Sequence, residues 1–253
     1  MSYPSAASPS PDDRPAGETI VQRAPRQLPG GPNVDMKAQV NQTRARPARP
    51  LPRRTTLCHT ARAMLDHIRD ACASYQPQPI ARDDLPRAAV LIALYEQEGT
   101  PHVLLTVRTD TVEHHNGQIS FPGGVQDPED PDLVATALRE SEEEIGLQRS
   151  DVEVWGCLDD IVTISNFVVS PYVGRVTAAA PYPFAPSAIE VAELLAVPLP
   201  HLHSPSGLNT EPAPWRGRLV PPPSYSFGEH LIWGATARML HQFLELAKAP
   251  SAR

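Results

Sequence analysis

Apolar and polar positions follow two different periods along this chain, and the changes of period mark its elements. From Thr60 to Tyr75, apolar residues recur at Ala61, Met64, Leu65, Ile68, Ala71 and Cys72. That spacing gathers them on one side of a helix, so it predicts an amphipathic helix. Ala88–Tyr95 (AAVLIALY) and His102–Val107 (HVLLTV) are short continuous apolar runs that predict strands, joined by a turn at Glu98-Gly99. A loop over Thr109–Gly117 leads to a short strand, Gln118–Phe121, then to Pro122-Gly123-Gly124 and an acidic loop. A helix is predicted from about Pro131 to Ile145. Val152–Cys157 and Phe167–Val176 again predict strands. Val191–Val197 precedes a Pro-rich excursion, Pro198–Pro223. The last element, Ile232–Lys248, repeats Leu240, Phe243, Leu244 and Ala247 at helical spacing. Strands mixed with helices predict a layered α/β domain.

Composition divides the chain. Of 253 residues, 30 are proline, and many of these fall before Leu57. Residues 1–56 show no apolar periodicity and cannot bury enough surface to offset the entropy of ordering, so a disordered Pro/Arg-rich tail is expected there. The remaining residues, 57–248, suffice for one packed domain. The formal net charge is -7. Through Thr56 there are nine Lys/Arg and four Asp/Glu, a local excess of +5, so the rest sums to -12. An acidic body argues against nucleic-acid binding, which needs a basic surface, and suits a protein that holds cations.

Cys58, Cys72 and Cys157 are scattered and form no CxxC pair, which fits a reducing compartment. No apolar run is long enough to span a bilayer. Asp12, Asp13 and Glu18 count against an organellar transit peptide, so a cytoplasmic protein without a membrane partner is expected.

The chemistry concentrates in Asp130–Leu147, DPDLVATALRESEEEIGL. Asp130 suits an N-cap, Pro131 a first helical position and Gly146 a C-terminal cap. At 100° per residue, Val134, Leu138, Ser141 and Ile145 make a core stripe. Glu140, Glu143 and Glu144 gather on the far side at i, i+3 and i+4. Three carboxylates so close repel unless a cation joins them, and hard divalent ions suit such ligands. Arg139 is placed to hold Glu143 at i+4. Set against this, a glutamate cluster on a helix is most often a solvated face.

Arg139-Glu140-Ser141-Glu142-Glu143-Glu144-Ile145-Gly146-Leu147 resembles the second half of the Nudix box, RE-U-x-EE-x-G-U with U a bulky aliphatic, and Gly124 resembles its opening glycine. Ser141 departs from the first aliphatic. Pro131 stands where a glutamate is usual, with Asp130 or Glu129 nearby as substitutes. The resemblance implies a Nudix fold, a mixed β-sheet sandwiched between α-helices. It implies a metal-dependent diphosphate hydrolase, with Glu140, Glu143 and Glu144 as ligands of Mg²⁺ or Mn²⁺ and Arg139 among the catalytic residues. Glu190 in SAIEVAELL is a candidate general base alongside the glutamates of the box.

Leu104-Leu105-Thr106-Val107-Arg108 followed by Gly117-Gln118-Ile119-Ser120-Phe121-Pro122-Gly123-Gly124 is similar to the signature of the coenzyme A pyrophosphatase subfamily. Thr109 and Glu113 depart from it, the latter reversing a charge, with His114 and His115 beside it. DDIVTISNFVVSPYVG, EVAELLAVPL and HLIWGATARML extend the resemblance from about Cys58 to Ala247. It implies cleavage of CoA or acyl-CoA to 3′,5′-ADP and (acyl-)4′-phosphopantetheine, with Arg108, Gly117, Phe121, Gly123 and Gly124 binding substrate and Arg108 facing the 3′-phosphate. A homodimer is one assembly it allows. Two other readings stay open: a Nudix hydrolase for ADP-ribose or NADH, and a non-catalytic Nudix module that senses a ligand.

Overall fold

A computed structural model of the chain describes residues 54–109 and 117–248. The expected disordered tail, apart from residues 54–56, lies outside the described residues, as do Glu113, His114, His115 and the side chain of Cys58.

The first helix, α1 (Arg54–Ser74), starts before the expected Thr60, because nothing between Arg53 and Tyr75 is a glycine or proline to stop it. Its apolar stripe is buried at Ala61, Leu65, Ile68 and Cys72. Next come β1 (Arg87–Gln97) and β2 (Thr100–Arg108). They form a hairpin whose two turn residues, Glu98 and Gly99, have φ of 51° and 74°. Two positive φ values in a two-residue loop give the turn twist that antiparallel strands accept. Short strands β3 (Ile119–Ser120) and β4 (Gly123–Val125) precede α2 (Leu133–Ile145). Then follow β5 (Val152–Cys157), β6 (Ile161–Val162), β7 (Val168–Val176) and β8 (Val191–Pro198).

These eight strands make one sheet. Strand β1 runs parallel to β7 and antiparallel to β2 and β4, so the sheet is mixed. Its central strand explains the continuous apolar run, since both faces are covered. Ala88, Ile92 and Leu94 enter one core with α1 and the last helix. Ala89, Leu91, Ala93 and Tyr95 enter a second core with α2. Strict alternation at period two thus splits AAVLIALY between two cores, and the architecture is the expected sheet between helices.

The Pro-rich excursion is structured. It holds a short helix, α3 (Leu199–Leu202), and three strands, β9 (Leu208–Asn209), β10 (Ala213–Trp215) and β11 (Arg218–Val220). After it come β12 (Ser224–Phe227), β13 (His230–Ile232) and α4 (Gly234–Ala247). Ile232, expected at the start of the last helix, therefore ends a strand. Among the described residues, no helix is long and apolar enough to cross a membrane.

Candidate active site

Helix α2 carries most of the candidate residues, and its start differs from expectation. The N-cap is Asp132, not Asp130, and Pro131 lies outside the helix. Asp132 accepts a hydrogen bond from the Ala135 N–H at 2.8 Å, satisfying a donor that the helix leaves orphaned. Asp130 is drawn elsewhere. Its Oδ1 accepts from Nε of Arg139 at 3.1 Å, its Oδ2 from Nη2 at 2.9 Å and from Thr136 Oγ1 at 2.9 Å. The hydrogen-bonding guanidinium holds the Asp130 carboxyl well below the usual carboxylate range. Of the two acids considered for the place of the missing glutamate, Asp130 is the one that pairs with Arg139, whereas Glu129 is exposed. At the far end Gly146 has φ 69°, and its N–H donates to Glu142 O, as the expected cap requires.

The buried face of α2 is also rotated from the expected one. Thr136, Ala137, Ser141, Glu144 and Ile145 are buried, while Val134 and Leu138 are only half-buried. Ala137 and Ser141 are small and let the helix approach β1 closely. Ser141 satisfies its hydroxyl within the helix, donating to Ala137 O at 2.7 Å. Glu144 therefore points inward, 4 % exposed, rather than sharing a solvated face with Glu143.

That burial decides its chemistry. Desolvation pushes the Glu144 carboxyl up to about 8. The charge of Arg108 and the Gly123 N–H oppose the rise, and Glu140 and Glu190 add to it. Its Oε2 is buried and has no hydrogen-bond partner. Glu140 is likewise raised, mainly by burial. Its carboxylate lies against β4: a Cβ on Gly124 would come within 2.4 Å of Glu140 Cδ. Gly123 has φ 154°, and a Cβ there would meet Ala89 O at 2.3 Å. Both glycines are thus required by close approach, one to the sheet and one to a carboxylate.

Arg139 ties the acidic groups together. Nη1 donates to Glu140 Oε1 at 2.9 Å and to Glu143 Oε2 at 3.1 Å, and Nη2 also reaches Val125 O at 3.1 Å. So placed, the guanidinium takes up oxygens of Glu140 and Glu143, and among the described residues no three His, Cys, Asp or Glu side chains form a ready metal cage. The donor set still fits a hard divalent ion. It consists of carboxylate oxygens, and one of them is an orphaned buried atom, which native structures rarely leave without a partner.

The remaining candidates surround this group. Arg108 ends β2, and its Nε is buried without a hydrogen-bond partner. Gly117 has φ 64° and donates its N–H to Arg108 O at 3.2 Å. Glu190 is exposed, within electrostatic reach of Glu140 and Glu144. Its segment is stitched to the end of α2: Ala185 N–H donates to Ile145 O at 3.0 Å and Ser187 N–H to Glu144 O at 2.8 Å. Phe121 corrects an expectation, for it is 1 % exposed in the core and offers no surface to a ligand.

A cavity of about 450 Å³ opens beside the site. Arg108, Gly123 and Gly124 line it, and Val90, Phe167 and Met239 give it an apolar wall, but none of the three glutamates does. Two of its residues, Trp233 and Arg238, were not anticipated, and Arg218 lies on the Trp233 ring with its Cζ 4.4 Å from the centroid. The signal for Trp233 and Arg238 was HLIWGATARML, which contains both; that for Arg218 was the basic pair around glycine in Trp215-Arg216-Gly217-Arg218, inside a stretch read only as Pro-rich.

Residues 85–180 match the family model described as the NUDIX domain. The chain is 36% identical over 169 residues to an uncharacterized Nudix hydrolase NudL of Photorhabdus laumondii, an alignment covering 67% of this chain and 89% of that protein. It is 36% identical over 161 residues to the mitochondrial coenzyme A diphosphatase NUDT8 of Homo sapiens, covering 63% of this chain and 68% of that one. A NudL of Pectobacterium atrosepticum is 35% identical over 168 residues, covering 65% of this chain and 84% of the relative.

Proposed function

Because this chain belongs to the Nudix hydrolase family, we propose that it hydrolyses the diphosphate bond of coenzyme A and its acyl esters, releasing 3′,5′-ADP and (acyl-)4′-phosphopantetheine. The observation that carries this reading is the buried Glu144, with its orphaned Oε2, set between Gly123 and the cation Arg108. A relative named as a coenzyme A diphosphatase supports the substrate.

Glu140, Glu143 and Glu144 would hold Mg²⁺ or Mn²⁺. When bound, such an ion neutralises charge on phosphate oxygens and makes water a nucleophile near neutral pH. The chain itself supplies the rest. Arg108, next to Glu144, is suited to hold a diphosphate oxygen, and Gly123-Gly124, which line the cavity, let the sheet and the Glu140 carboxylate close on them. Arg139 locks Glu140 and Glu143 in place through Asp130. Glu190, exposed and near both carboxylates, is the residue we assign to accept the proton of the attacking water.

We place the catalytic body in residues 57–248, so removing residues 1–50 is expected to leave turnover intact. The free thiols Cys72 and Cys157 support a reducing, cytosolic setting.

Product analysis with CoA and Mg²⁺ or Mn²⁺ tests the reading, alongside kcat/KM on CoA, acetyl-CoA, ADP-ribose and NADH. We expect 3′,5′-ADP and 4′-phosphopantetheine, with CoA and its ester preferred. Equal or better turnover of ADP-ribose or NADH would overturn the substrate assignment.

A further inference from the structure

The excursion between β8 and β12 carries two arginines on one hairpin, one reaching Gly117 and the other lying on Trp233 of the cavity wall. Trp215 pairs with Arg218 in the ladder of β10 and β11, so Arg216 and Gly217 are the two turn residues. Their φ values are 45° and 77°. This backbone suits Asn or Gly at the first position, and an arginine there bears a steric cost. Strain of this kind persists where the side chain has a task. The Arg216 guanidinium reaches Gly117, where Nη2 would lie 2.3 Å from an added Cβ. Gly117 is in turn hydrogen-bonded to the backbone of Arg108.

Across the hairpin, Arg218 lies over Trp233, whose ring lines the cavity. Stacking on an indole fixes the plane of a guanidinium while leaving its N–H groups free to point outward. Arg238 lines the same cavity. In a protein of formal net charge -7, Arg108 and Arg238 line this cavity and Arg218 lies on the Trp233 ring of its wall, a gathering of cations that suits an anion. Arg108 is committed to the neighbourhood of Glu144, where the diphosphate reacts.

We propose that Arg216 and Arg218 recognise the 3′-phosphate of the substrate, making this hairpin the element that selects coenzyme A over molecules with an unphosphorylated ribose. The assignment rests on the coenzyme A reading above. It transfers the 3′-phosphate from Arg108, where the sequence had put it, to a segment outside the Nudix box.

Two measurements on the full chain test it. In the first, kcat/KM is compared for CoA and dephospho-CoA, which lacks only that phosphate. The wild-type protein should favour CoA by about tenfold or more, the scale of a lost charge-assisted hydrogen bond. In Arg218→Ala and in Arg216→Gly, which suits the positive φ, KM for CoA should rise to that for dephospho-CoA. The values of kcat and the turnover of dephospho-CoA should hold, and Arg218→Lys should recover part of the preference. In the second, tryptophan fluorescence follows binding of 3′,5′-ADP and 5′-AMP, which needs no turnover. Tighter binding of 3′,5′-ADP, lost in both variants, supports the hairpin assignment. Equal loss for both ligands, or no loss, overturns it. If the wild type discriminates between these two ligands yet does not cleave CoA, the substrate reading fails while the anion site stands.

Discussion

Oδ2 of Asp130 lies 2.9 Å from Nη2 of Arg139, and Oδ1 lies 3.1 Å from Nε, so a loop acid grips a helix arginine with both oxygens. The same arginine reaches Glu140 and Glu143 with its remaining nitrogen. Asp130 thus positions two candidate metal ligands without touching either.

Replacing it should be felt in stability as well as turnover. With side chains 8% and 17% exposed, Asp130→Asn is expected to lower stability at neutral pH by about 1–3 kcal/mol. The folded carboxyl titrates below its unfolded value of roughly 3.9, so its contribution is complete above that pH and fades as pH falls through the folded value. Melting temperatures of wild type and Asp130→Asn should therefore converge below about pH 4. A gap unchanged down to the most acidic conditions would contradict the pairing.

Glu144→Gln separates catalysis from folding. We expect kcat on CoA to fall by about a hundredfold or more. In chelator-treated protein at neutral pH the variant should melt close to wild type, because burial already holds the Glu144 carboxyl largely as the neutral acid and an amide of similar shape replaces it. Turnover at the wild-type rate would remove Glu144 from the mechanism.

Gly124→Ala addresses the cradle of Glu140. The new Cβ would sit 2.4 Å from Glu140 Cδ, so the carboxylate must swing away. The backbone at this position is not at a positive φ, so stability should change by about 1 kcal/mol or less. Activity should drop at least tenfold if Glu140 works where it lies, as steady-state kinetics in saturating Mg²⁺ would register.

Metal dependence completes the set. Dialysis against a chelator should abolish turnover, and Mg²⁺ or Mn²⁺ should restore it. At a hundredfold excess over Kd, binding to the folded state alone adds about 2.7 kcal/mol, visible as a higher melting temperature. Glu144→Gln should lose much of that rise.

The central strand, the hairpin at Glu98-Gly99 and the acidic helix were all legible because period and turn chemistry act locally. Which side of the helix meets the sheet was not. Spacing places Glu140 and Glu144 on one surface, but only the small Ala137 and Ser141 packing toward β1 turn that surface inward. The N-cap was misplaced for a similar reason. Asp130 and Asp132 are equally good caps in sequence, and Arg139 decides between them through space. Arg216 and Arg218 were hidden because their hairpin comes to lie beside Gly117 and Trp233 only after the excursion folds back.

The stitching of residues 185–187 to the end of α2 bears on how freely this enzyme can drift. Carbonyl groups that the helix leaves open, on Glu144 and Ile145, fix the segment that leads to Glu190. The spacing between the proposed base and the helix carboxylates is therefore written in main-chain atoms. The side chain of Ala188, which is exposed, is under no such obligation. Substitution there should be almost silent, whereas a single-residue deletion should be among the most damaging lesions in the chain.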